Sequence, residues 1–341
     1  MPSNSYHCLA LYSSGLDSLL ACKLMQSQDL NVLGLHFTSP FFGSKEKMVH
    51  WERIHNLDLL PVDISQEYVD LLIRGPAWGF GKYLNPCIDC KILMLKKAAA
   101  MLPIFEARFL ISGEVLGQRP MSQRRDAMNI IRREAGVKET LLRPLSGRKL
   151  SIPPAVSESN LVDLDRLPAI QGRGRKEQLR LATEFQIQEV PTPAGGCLLA
   201  DPESARRFSP LLVHMTPPRV EDFELAKVGR QYWSGDNWLV IGRNQEDNTR
   251  LMELVQKEDI VFKLADLPGP LALGRQPARK WPRELIAEAA RFMSTFSTKA
   301  QKAETQVRVK VGVNEQVDII SVDPMQVAES SWKEPRMEVI R

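Results

Sequence analysis

A turn near the amino terminus has the composition of an anion-binding site. It follows the apolar run His7–Leu11 and reads Ser13-Ser14-Gly15-Leu16-Asp17-Ser18, after which leucines recur at helical spacing. A turn between a strand's carboxyl end and a helix's amino end offers unpaired backbone NH groups and the positive end of the helix dipole to an anion. We therefore expect phosphate binding here. Ser13 and Ser18 would add hydroxyl donors, and Asp17 would accept from the turn or help to place Mg²⁺.

The plainest alternative for this turn is a serine-rich helix N-cap. The turn has neither the Gly-Lys-Ser/Thr of a Walker loop nor a dinucleotide fingerprint. The strand before it and its place near the amino terminus favour nucleotide binding. A positive φ at Ser14 would strain the loop, because only glycine adopts that conformation freely.

Three of the five cysteines form a second pattern with chemical potential. Cys87 and Cys90 are separated by two residues, which lets both thiolates turn towards one ion or cluster. Cys197 comes much later in the chain, after a run rich in proline and glycine, and supplies a third sulfur if the fold brings it close. Cys8 and Cys22 look like ordinary core residues.

Other interpretations of the three cysteines remain open. A structural zinc ion would need a fourth ligand, and no histidine lies near either motif. A persulfide or disulfide relay between Cys90 and Cys197 is a stronger alternative. The paired spacing makes three unrelated buried cysteines the weakest interpretation.

The elements that would position these residues alternate along the first part of the chain. Four apolar runs are separated by helical or loop segments: His7–Leu11, Asn31–Phe37, Leu57–Ile64 and Arg108–Ser112. Such alternation predicts an α/β domain, in which a parallel sheet is covered on both faces and the crossovers are right-handed.

The pattern changes after about residue 212, which predicts a first domain at 1–212 and a smaller α+β domain at 213–341. The predicted elements of the second domain are strands at Asn237–Gly242 and Lys257–Leu264, helices at Glu246–Val255 and Trp281–Phe296, and a hairpin of Val307–Val313 and Val317–Val322 joined through Asn314.

Composition narrows the class of protein. The 341 residues, 43% of them hydrophobic, are enough for two globular domains. No apolar stretch reaches the roughly 18 residues of a membrane span, and the amino terminus lacks the layout of a signal peptide, so we expect a cytoplasmic protein with no membrane partner. The net charge is only +4, but arginines cluster between Arg119 and Arg133 and between Arg173 and Arg180. Such clusters suit phosphate neutralisation, or simply form solvated helix faces.

The first turn resembles the pyrophosphate loop of the PP-loop ATPases, Ser-Gly-Gly-x-Asp-Ser, with Ser14 where that family usually has glycine. The resemblance implies binding of ATP and Mg²⁺, transfer of AMP to a substrate and release of pyrophosphate. It also implies that adenine and ribose lie at the carboxyl edge of the sheet. The matching positions are His36 and Phe37 after the second strand and Gly113 after the fourth, although His36 fits a core histidine equally well.

Two further segments resemble tRNA thiolation enzymes. Asn85-Pro86-Cys87-Ile88-Asp89-Cys90 resembles the motif of tRNA 2-thiouridylases, in which a cysteine at the position of Cys87 implies a [4Fe-4S] cluster. Gly113-Glu114-Val115-Leu116-Gly117-Gln118, with Ser122-Gln123 and Arg143-Pro144-Leu145 behind it, resembles the tRNA 4-thiouridine synthetases.

The resemblances imply a set of site residues. The cluster ligands would be Cys87, Cys90 and Cys197, and one iron would be left open for a hydrosulfide. Cys90, Cys197 and Asp17 would be catalytic. The nucleotide-binding residues would be Ser13, Ser14, Gly15, Leu16, Asp17, Ser18, His36, Phe37, Gly113 and Gln118.

The second domain resembles, more faintly, the RNA-associated NFACT-R domain, on the segments Trp238–Asn244 and Asp266–Pro270. The expected partners are therefore tRNA and a sulfur source, either sulfide or a cysteine desulfurase. Because little sequence precedes Ser13, docking of tRNA would fall to the second domain, to basic helices or to the second subunit of a homodimer. Two rival functions stay open: a PP-loop ligase or amidating enzyme acting on a small metabolite, and a non-catalytic RNA-binding protein with a degenerate loop.

Overall fold

The protein is described from a computed structural model that covers residues 5–46, 48–187, 189, 196–275, 280–303, 305–313, 316–325 and 330–338. The chain forms two compact units, Met1–Leu198 and Leu199–Arg341. The predicted boundary after residue 212 falls inside a helix of the second unit, Pro202–His214, so the division lies earlier than the sequence indicated. No helix among the described residues combines the length and apolarity needed to cross a membrane.

The first unit alternates strands and helices, as the sequence predicted. Its strands are β1 Cys8–Leu11, β2 Val32–Thr38, β3 Asp58–Asp63, β4 Phe109–Ser112 and β5 Leu141–Leu142. Its helices are α1 Leu16–Gln26, α2 Met48–His55, α3 Ser65–Arg74, α4 Cys87–Met101, α5 Arg125–Glu134, α6 Pro154–Ser157 and α7 Lys176–Glu184.

The five strands form one parallel sheet in the order β3-β2-β1-β4-β5. Every residue of β1, β2 and β4 is buried, as expected for strands covered on both faces. The chain leaves β1 towards β2 on one side and later returns to β4 on the other. Strands β1 and β4 therefore flank the topological switch point, where open α/β sheets bind ligands beyond the carboxyl ends of the strands.

The second unit is built on an antiparallel six-stranded sheet, in the order β11-β10-β8-β9-β7-β6. The strands are β6 Arg230–Ser234, β7 Asn237–Ile241, β8 Ile260–Leu264, β9 Leu271–Arg275, β10 Val307–Val313 and β11 Gln316–Val322. The helices are α8 Pro202–His214, α9 Val220–Ala226, α10 Gln245–Glu253, α11 Arg283–Ser294 and α12 Thr298–Gln301.

One face of this sheet packs against α11, whose Ala289, Ala290 and Met293 share a buried cluster with Leu239 and Phe262. The predicted hairpin is present as β10 and β11, whereas its joining residue Asn314 lies outside the described residues. Strands β6 and β9 were not predicted. The five residues of β9 are all buried, so this strand lacks the polar-apolar alternation that identifies a half-buried strand.

Candidate active site

The turn between β1 and α1 adopts the conformation that its sequence makes costly. Ser14 has φ +55°, in the left-handed region, and Gly15 is extended immediately before the helix begins at Leu16. No described side chain caps the amino end of α1, which leaves its first backbone NH groups available to an anion. This is the arrangement that binds phosphate at a helix amino terminus.

The serine hydroxyls of the turn mainly hold its shape. Ser18 Oγ donates to the Gly15 carbonyl at 2.8 Å and accepts from the Ser13 backbone NH at 3.2 Å. Ser14 Oγ donates to the Ser13 carbonyl at 2.7 Å. Because the hydroxyl proton of Ser18 is used inside the turn, the expected donor role of Ser18 does not match this geometry. Ser13 is exposed, but its hydroxyl also donates inside the turn, to Ser18 Oγ at 3.3 Å.

Gly113 brings the end of β4 against the first turn of α1. A Cβ atom at this position would lie 2.5 Å from the backbone carbonyl carbon of Asp17 and 2.5 Å from the backbone nitrogen of Ser18. Neither backbone atom can move without displacing the start of the helix. Glycine is thus needed here to close the switch point between β1 and β4.

The loop after β4 also reaches Asp17 through a side chain. Gln118 Nε2 donates to Asp17 Oδ2 at 2.9 Å. The other two side-chain oxygens, Asp17 Oδ1 and Gln118 Oε1, are buried and have no hydrogen-bond partner among the described groups. Two such oxygens beside a phosphate-binding turn suit a hard cation such as Mg²⁺, or a water molecule bound to it.

The other residues predicted to bind the nucleotide differ in their burial and in the direction of their side chains. His36 is buried at the end of β2, and burial lowers its pKa despite backbone hydrogen bonds with Tyr12 and Ser44, so its ring is neutral at pH 7. Phe37 points to the opposite face of the strand and is 5% exposed. Leu16 packs into a core cluster with Leu20 and Val115, which leaves only its backbone NH for a ligand.

Two of the three cysteines lie on the first turn of α4. Cys87 and Cys90 are three residues apart and so share one face of the helix. Asp89, between them, accepts hydrogen bonds from the backbone NH groups of Ala77 at 2.9 Å and Trp78 at 3.1 Å, which ties this turn to the preceding loop. Asn85 Nδ2 donates to Cys87 Sγ at 3.2 Å.

Tyr68, on the first turn of α3, connects the cysteines. Its side chain is 1% exposed and its hydroxyl is hydrogen-bonded to the Cys90 thiol. Burial raises the pKa of Tyr68, and the nearby thiols of Cys90, Cys197 and Cys87 raise it further. All three sulfurs therefore lie within electrostatic range of one phenol. Nothing in the sequence of α3 distinguished Tyr68 from a core residue.

Cys197 reaches this place through the loop after β2. The backbone NH of the next residue, Leu198, donates to the Phe41 carbonyl at 2.9 Å. The Phe41 ring packs against Tyr68 with 5.5 Å between ring centroids, and Phe42 does so at 5.0 Å. The predicted Pro191–Gly195 part of the loop before Cys197 lies outside the described residues.

The environment of Cys90 keeps its thiol protonated at neutral pH. Burial raises its pKa to about 12; Lys91 and the Tyr68 hydrogen bond lower it, and Cys197 and Cys87 raise it. A metal ion would reverse this balance, because thiolates bind metals and metal binding releases the proton.

The three cysteines were predicted to bind an iron-sulfur cluster. Among the described residues, no three His, Cys, Asp or Glu side chains are arranged to hold one metal ion. A cluster binds each thiolate through a different iron and so tolerates donors that are farther apart. Two of the sulfurs receive hydrogen bonds, Cys87 from Asn85 and Cys90 from Tyr68, as ligand thiolates commonly do. Cluster ligation by Cys87, Cys90 and Cys197 stays a prediction.

A buried ion pair lies just beyond the end of β4. Arg143 Nε donates to Glu114 Oε2 at 3.1 Å, and the two side chains are 5% and 3% exposed. Ser112 Oγ donates to the same oxygen at 3.0 Å. Burial alone would raise the pKa of Glu114, but Arg143, Lys91 and Ser112 together hold it below its ordinary value. Sequence reasoning assigned no role to the motif positions Glu114 and Arg143, and the structure shows that they form this buried ion pair.

A series of contacts along the loop after β4 links the turn from Ser13 to Ser18 with the cysteines. Gln118 contacts Asp17 at one end of this loop, and Met121 Sδ lies 3.8 Å from Asn85 Nδ2 at the other. Asn85 in turn contacts Cys87. Contacts therefore link the turn, the loop after β4 and the start of α4 at the carboxyl edge of the sheet.

Several arginines of the predicted basic clusters are locally neutralised. Arg124 pairs with Asp126, Arg133 with Glu134, and Arg180 with Glu177 and Glu184. These exposed pairs weaken the case that the clusters by themselves form a phosphate-binding face.

Comparison with known proteins agrees with the RNA-related resemblance of the second unit. Residues 229–333 match the family model described as the NFACT protein RNA binding domain. The fibronectin/fibrinogen-binding protein of Streptococcus suis has a C-terminal structure that covers 45% of this chain and 76% of its own, with 13% identity and a TM-score of 0.26.

Curated relatives match part of the chain. A probable tRNA sulfurtransferase of Methanobrevibacter smithii is 28% identical over 172 residues, 47% of this chain and 42% of the relative. An uncharacterized protein of Methanocaldococcus jannaschii is 24% identical over 134 residues, 37% of this chain and 46% of the relative. The matches thus span less than half of either relative.

A solved structure, a predicted subunit of tRNA methyltransferase from Methanocaldococcus jannaschii, covers 52% of this chain and 75% of its own, with 14% identity and a TM-score of 0.34. The expected NFACT-R-like segment is confirmed. The chain is similar to a probable tRNA sulfurtransferase and matches, over residues 229–333, the family model described as the NFACT protein RNA binding domain.

Proposed function

We propose that this protein is an ATP-dependent tRNA sulfurtransferase, which adenylates the carbonyl oxygen of a uridine and replaces that oxygen with sulfur. The observation that carries the proposal is the series of contacts that links the turn from Ser13 to Ser18 with Cys87 at the carboxyl edge of a parallel sheet, with Cys90 and Cys197 near Tyr68. The similarity to a probable tRNA sulfurtransferase and the RNA-binding segment support tRNA as the substrate.

In the first step, the turn from Ser13 to Ser18 binds the phosphates of ATP. The uridine carbonyl oxygen attacks the α-phosphorus, a new O–P bond forms, and pyrophosphate leaves. The NH groups at the start of α1 stabilise the charge on the departing pyrophosphate, and Asp17 would hold a Mg²⁺ ion that would supply further positive charge there. The carbonyl oxygen is a poor leaving group by itself, but once it is bonded to the phosphate of AMP it can leave as part of AMP.

In the second step, hydrosulfide attacks the same ring carbon, a C–S bond forms, the C–O bond breaks, and AMP leaves with the oxygen while the sulfur loses its proton. A [4Fe-4S] cluster bound by Cys87, Cys90 and Cys197 would keep one iron free of protein ligands and supply a position for that hydrosulfide. The hydrogen bonds from Tyr68 and Asn85 would orient the cysteine sulfurs. The target uridine would have to leave its stack for its carbonyl to reach both the ATP phosphate and the sulfur.

The direct test is anaerobic purification followed by an assay with ATP, Mg²⁺, sulfide and unfractionated tRNA. We expect iron and sulfide in the protein, AMP formation that depends on tRNA, and a thiolated uridine in the digested tRNA by mass spectrometry. Alanine at Cys87, Cys90 or Cys197 should abolish thiolation. Cys22→Ala, at a buried cysteine of α1, is the matched control and should retain it.

The outcomes separate the proposal from its rivals. Thiolation by protein without iron, lost in Cys90→Ala and Cys197→Ala but kept in Cys87→Ala, would replace the cluster with a persulfide relay. AMP formation with a small amide-forming substrate and none with tRNA would overturn the proposal in favour of a ligase. Absence of ATP–pyrophosphate exchange would indicate a non-catalytic RNA-binding protein.

A further inference from the structure

The second unit contains an open cleft that no part of the proposed chemistry uses. It has a volume of about 460 Å³ and lies where four segments meet: the start of β6, the loop between β7 and α10, the Pro268–Pro270 turn, and the turn between α11 and α12. All of these segments fall within the part of the chain that matches the RNA binding family.

The cleft is positively charged. Arg230, Arg243 and Lys299 line it, and among the described residues its lining includes no aspartate or glutamate. Asp247 pairs with Arg243 at 2.7 Å and balances that charge. No described carboxylate forms an ion pair with Arg230 or Lys299, so these two cations are available to an anion.

The same cleft contains a planar surface. The Arg230 guanidinium lies over the Phe296 ring, 5.3 Å from its centroid. Phe296 is held from behind by Tyr232 and Phe292, with ring centroids 5.8 and 5.3 Å away. A base can stack on an aromatic ring or on an arginine plane, and this pair offers both.

Side-chain amides complete the lining. Asn248 Oδ1 accepts from the Leu271 backbone NH at 3.0 Å, which leaves its NH₂ group as a donor. This position depends on Gly242, where a Cβ atom would lie 2.1 Å from Asn248 Oδ1. Cations, a stacking plane and amide donors in one cleft match a nucleotide, which combines an anionic phosphate with a planar base that has a polar edge.

We propose that this cleft holds one unpaired nucleotide of an RNA strand, with its phosphate at Arg230 and Lys299 and its base stacked beside Phe296. The inference rests on the proposed function in one respect, that the RNA is tRNA. It assigns the docking of the substrate to a specific surface of the second unit rather than to the paired arginines of the first.

The test measures binding of the full-length protein to unfractionated tRNA by fluorescence anisotropy over a range of KCl concentrations. Arg230→Ala and Lys299→Ala should each weaken binding and reduce the slope of log K against log[KCl] by about 0.7–0.9, the loss of one phosphate contact. Phe296→Leu should weaken binding by about 5- to 150-fold, as loss of one stacked base does, with little change in the slope.

Lys263 and Lys310 give matched controls on the same unit. They face each other across β8 and β10 outside the cleft, and Lys263→Ala and Lys310→Ala should change binding less than Arg230→Ala does. Wild-type affinity in Arg230→Ala and Lys299→Ala would overturn the inference. A larger loss of affinity in the Lys263 and Lys310 variants would also overturn it, because the RNA would then bind along β8 and β10 instead of in the cleft.

The two proposals fail separately. Protein that thiolates tRNA while Arg230→Ala and Lys299→Ala bind tRNA normally contradicts the cleft alone. Protein that binds tRNA through the cleft but forms no thiolated nucleoside contradicts the sulfurtransferase alone.

Discussion

Gln118 Nε2 donates to Asp17 Oδ2 at 2.9 Å, although 101 positions separate the two residues in the chain. This contact joins the loop after β4 to the first turn of α1 across the switch point of the sheet. It leaves Asp17 Oδ1 and the amide oxygen of Gln118, Oε1, buried without a hydrogen-bond partner among the described groups. The orientation of this amide therefore decides whether an oxygen or a nitrogen lies beside the free Asp17 Oδ1.

Gln118→Glu should impair ATP use. The substitution replaces the donor with a second carboxylate beside Asp17 and beside the phosphates, and repulsion between these charges weakens binding of the nucleotide. We expect the Kd for ATP to rise by about tenfold, equivalent to about 1.4 kcal/mol. Isothermal titration with a non-hydrolysable ATP analogue and Mg²⁺ measures it.

The first unit offers a matched control for Gln118→Glu. Gln66 Nε2 donates to Asp70 Oδ1 at 2.8 Å on the exposed surface of α3, so Gln66→Glu creates the same pair of charges in water. Its effect on ATP affinity should be negligible. Equal affinities in the two variants would show that Gln118 lies outside the nucleotide site.

Ser14→Gly should stabilise the protein without loss of ATP binding. The left-handed conformation of Ser14 strains a residue with a side chain, and glycine removes that strain at some cost in unfolded-state entropy, for a net gain of about 0.5–1 kcal/mol. Thermal unfolding monitors the gain. Glu106→Gly, at an exposed residue with φ +51° away from the turn, should give a similar gain. A lower melting temperature for Ser14→Gly alone would show that the turn needs the serine.

Sequence reasoning located the strands of the first unit closely because buried parallel strands are continuous apolar runs. The predicted run Arg108–Ser112 corresponds to β4, Phe109–Ser112. The sequence also indicated that a positive φ at Ser14 would strain the turn, and Ser14 has a φ of +55°. The backbone conformation of this turn depends on neighbouring residues, so it could be predicted from the sequence.

The parts that failed or were missed depend on tertiary contacts. Whether the Ser18 hydroxyl faces a ligand or the Gly15 carbonyl is decided by the fold of the turn, not by residue type. Tyr68 contacts the cysteines only because α3 and α4 meet at the sheet edge, and the α3 sequence gives an ordinary amphipathic pattern. The domain boundary was placed late because α8 belongs to the second unit although it precedes the change in sequence pattern.

Glu114→Gln should change both stability and its dependence on pH. The folded-state pKa of Glu114 is lowered, so its charge stabilises the fold above the unfolded pKa of about 4.3, and that stabilisation is lost as pH falls through the lower folded value. Removing the charge leaves Arg143 buried without its partner and should cost about 3–5 kcal/mol above pH 5. The difference from wild type should shrink in acid.

Urea unfolding between pH 3 and 7 measures the Glu114 effect, with Glu134→Gln as the matched control. Glu134 pairs with Arg133 on the exposed surface of α5, where the loss of a charge costs little. A constant difference between Glu114→Gln and wild type across this range would mean that the Glu114 carboxyl is not ionised in the folded protein.

Tyr68→Phe tests whether the phenol acts on the cysteine site or only fills the core. The substitution removes the hydroxyl that donates to Cys90 and keeps the ring that packs on Phe41 and Phe42. Because a hydrogen bond to a ligand sulfur stabilises the reduced, more negative state of a cluster, its loss should lower the reduction potential of the reconstituted protein. The expected shift is about 20–60 mV, for a bond worth about 0.5–1.5 kcal/mol in a one-electron step. Spectroelectrochemistry measures it, with Tyr83→Phe as the control, and an unchanged potential would leave Tyr68 a packing residue.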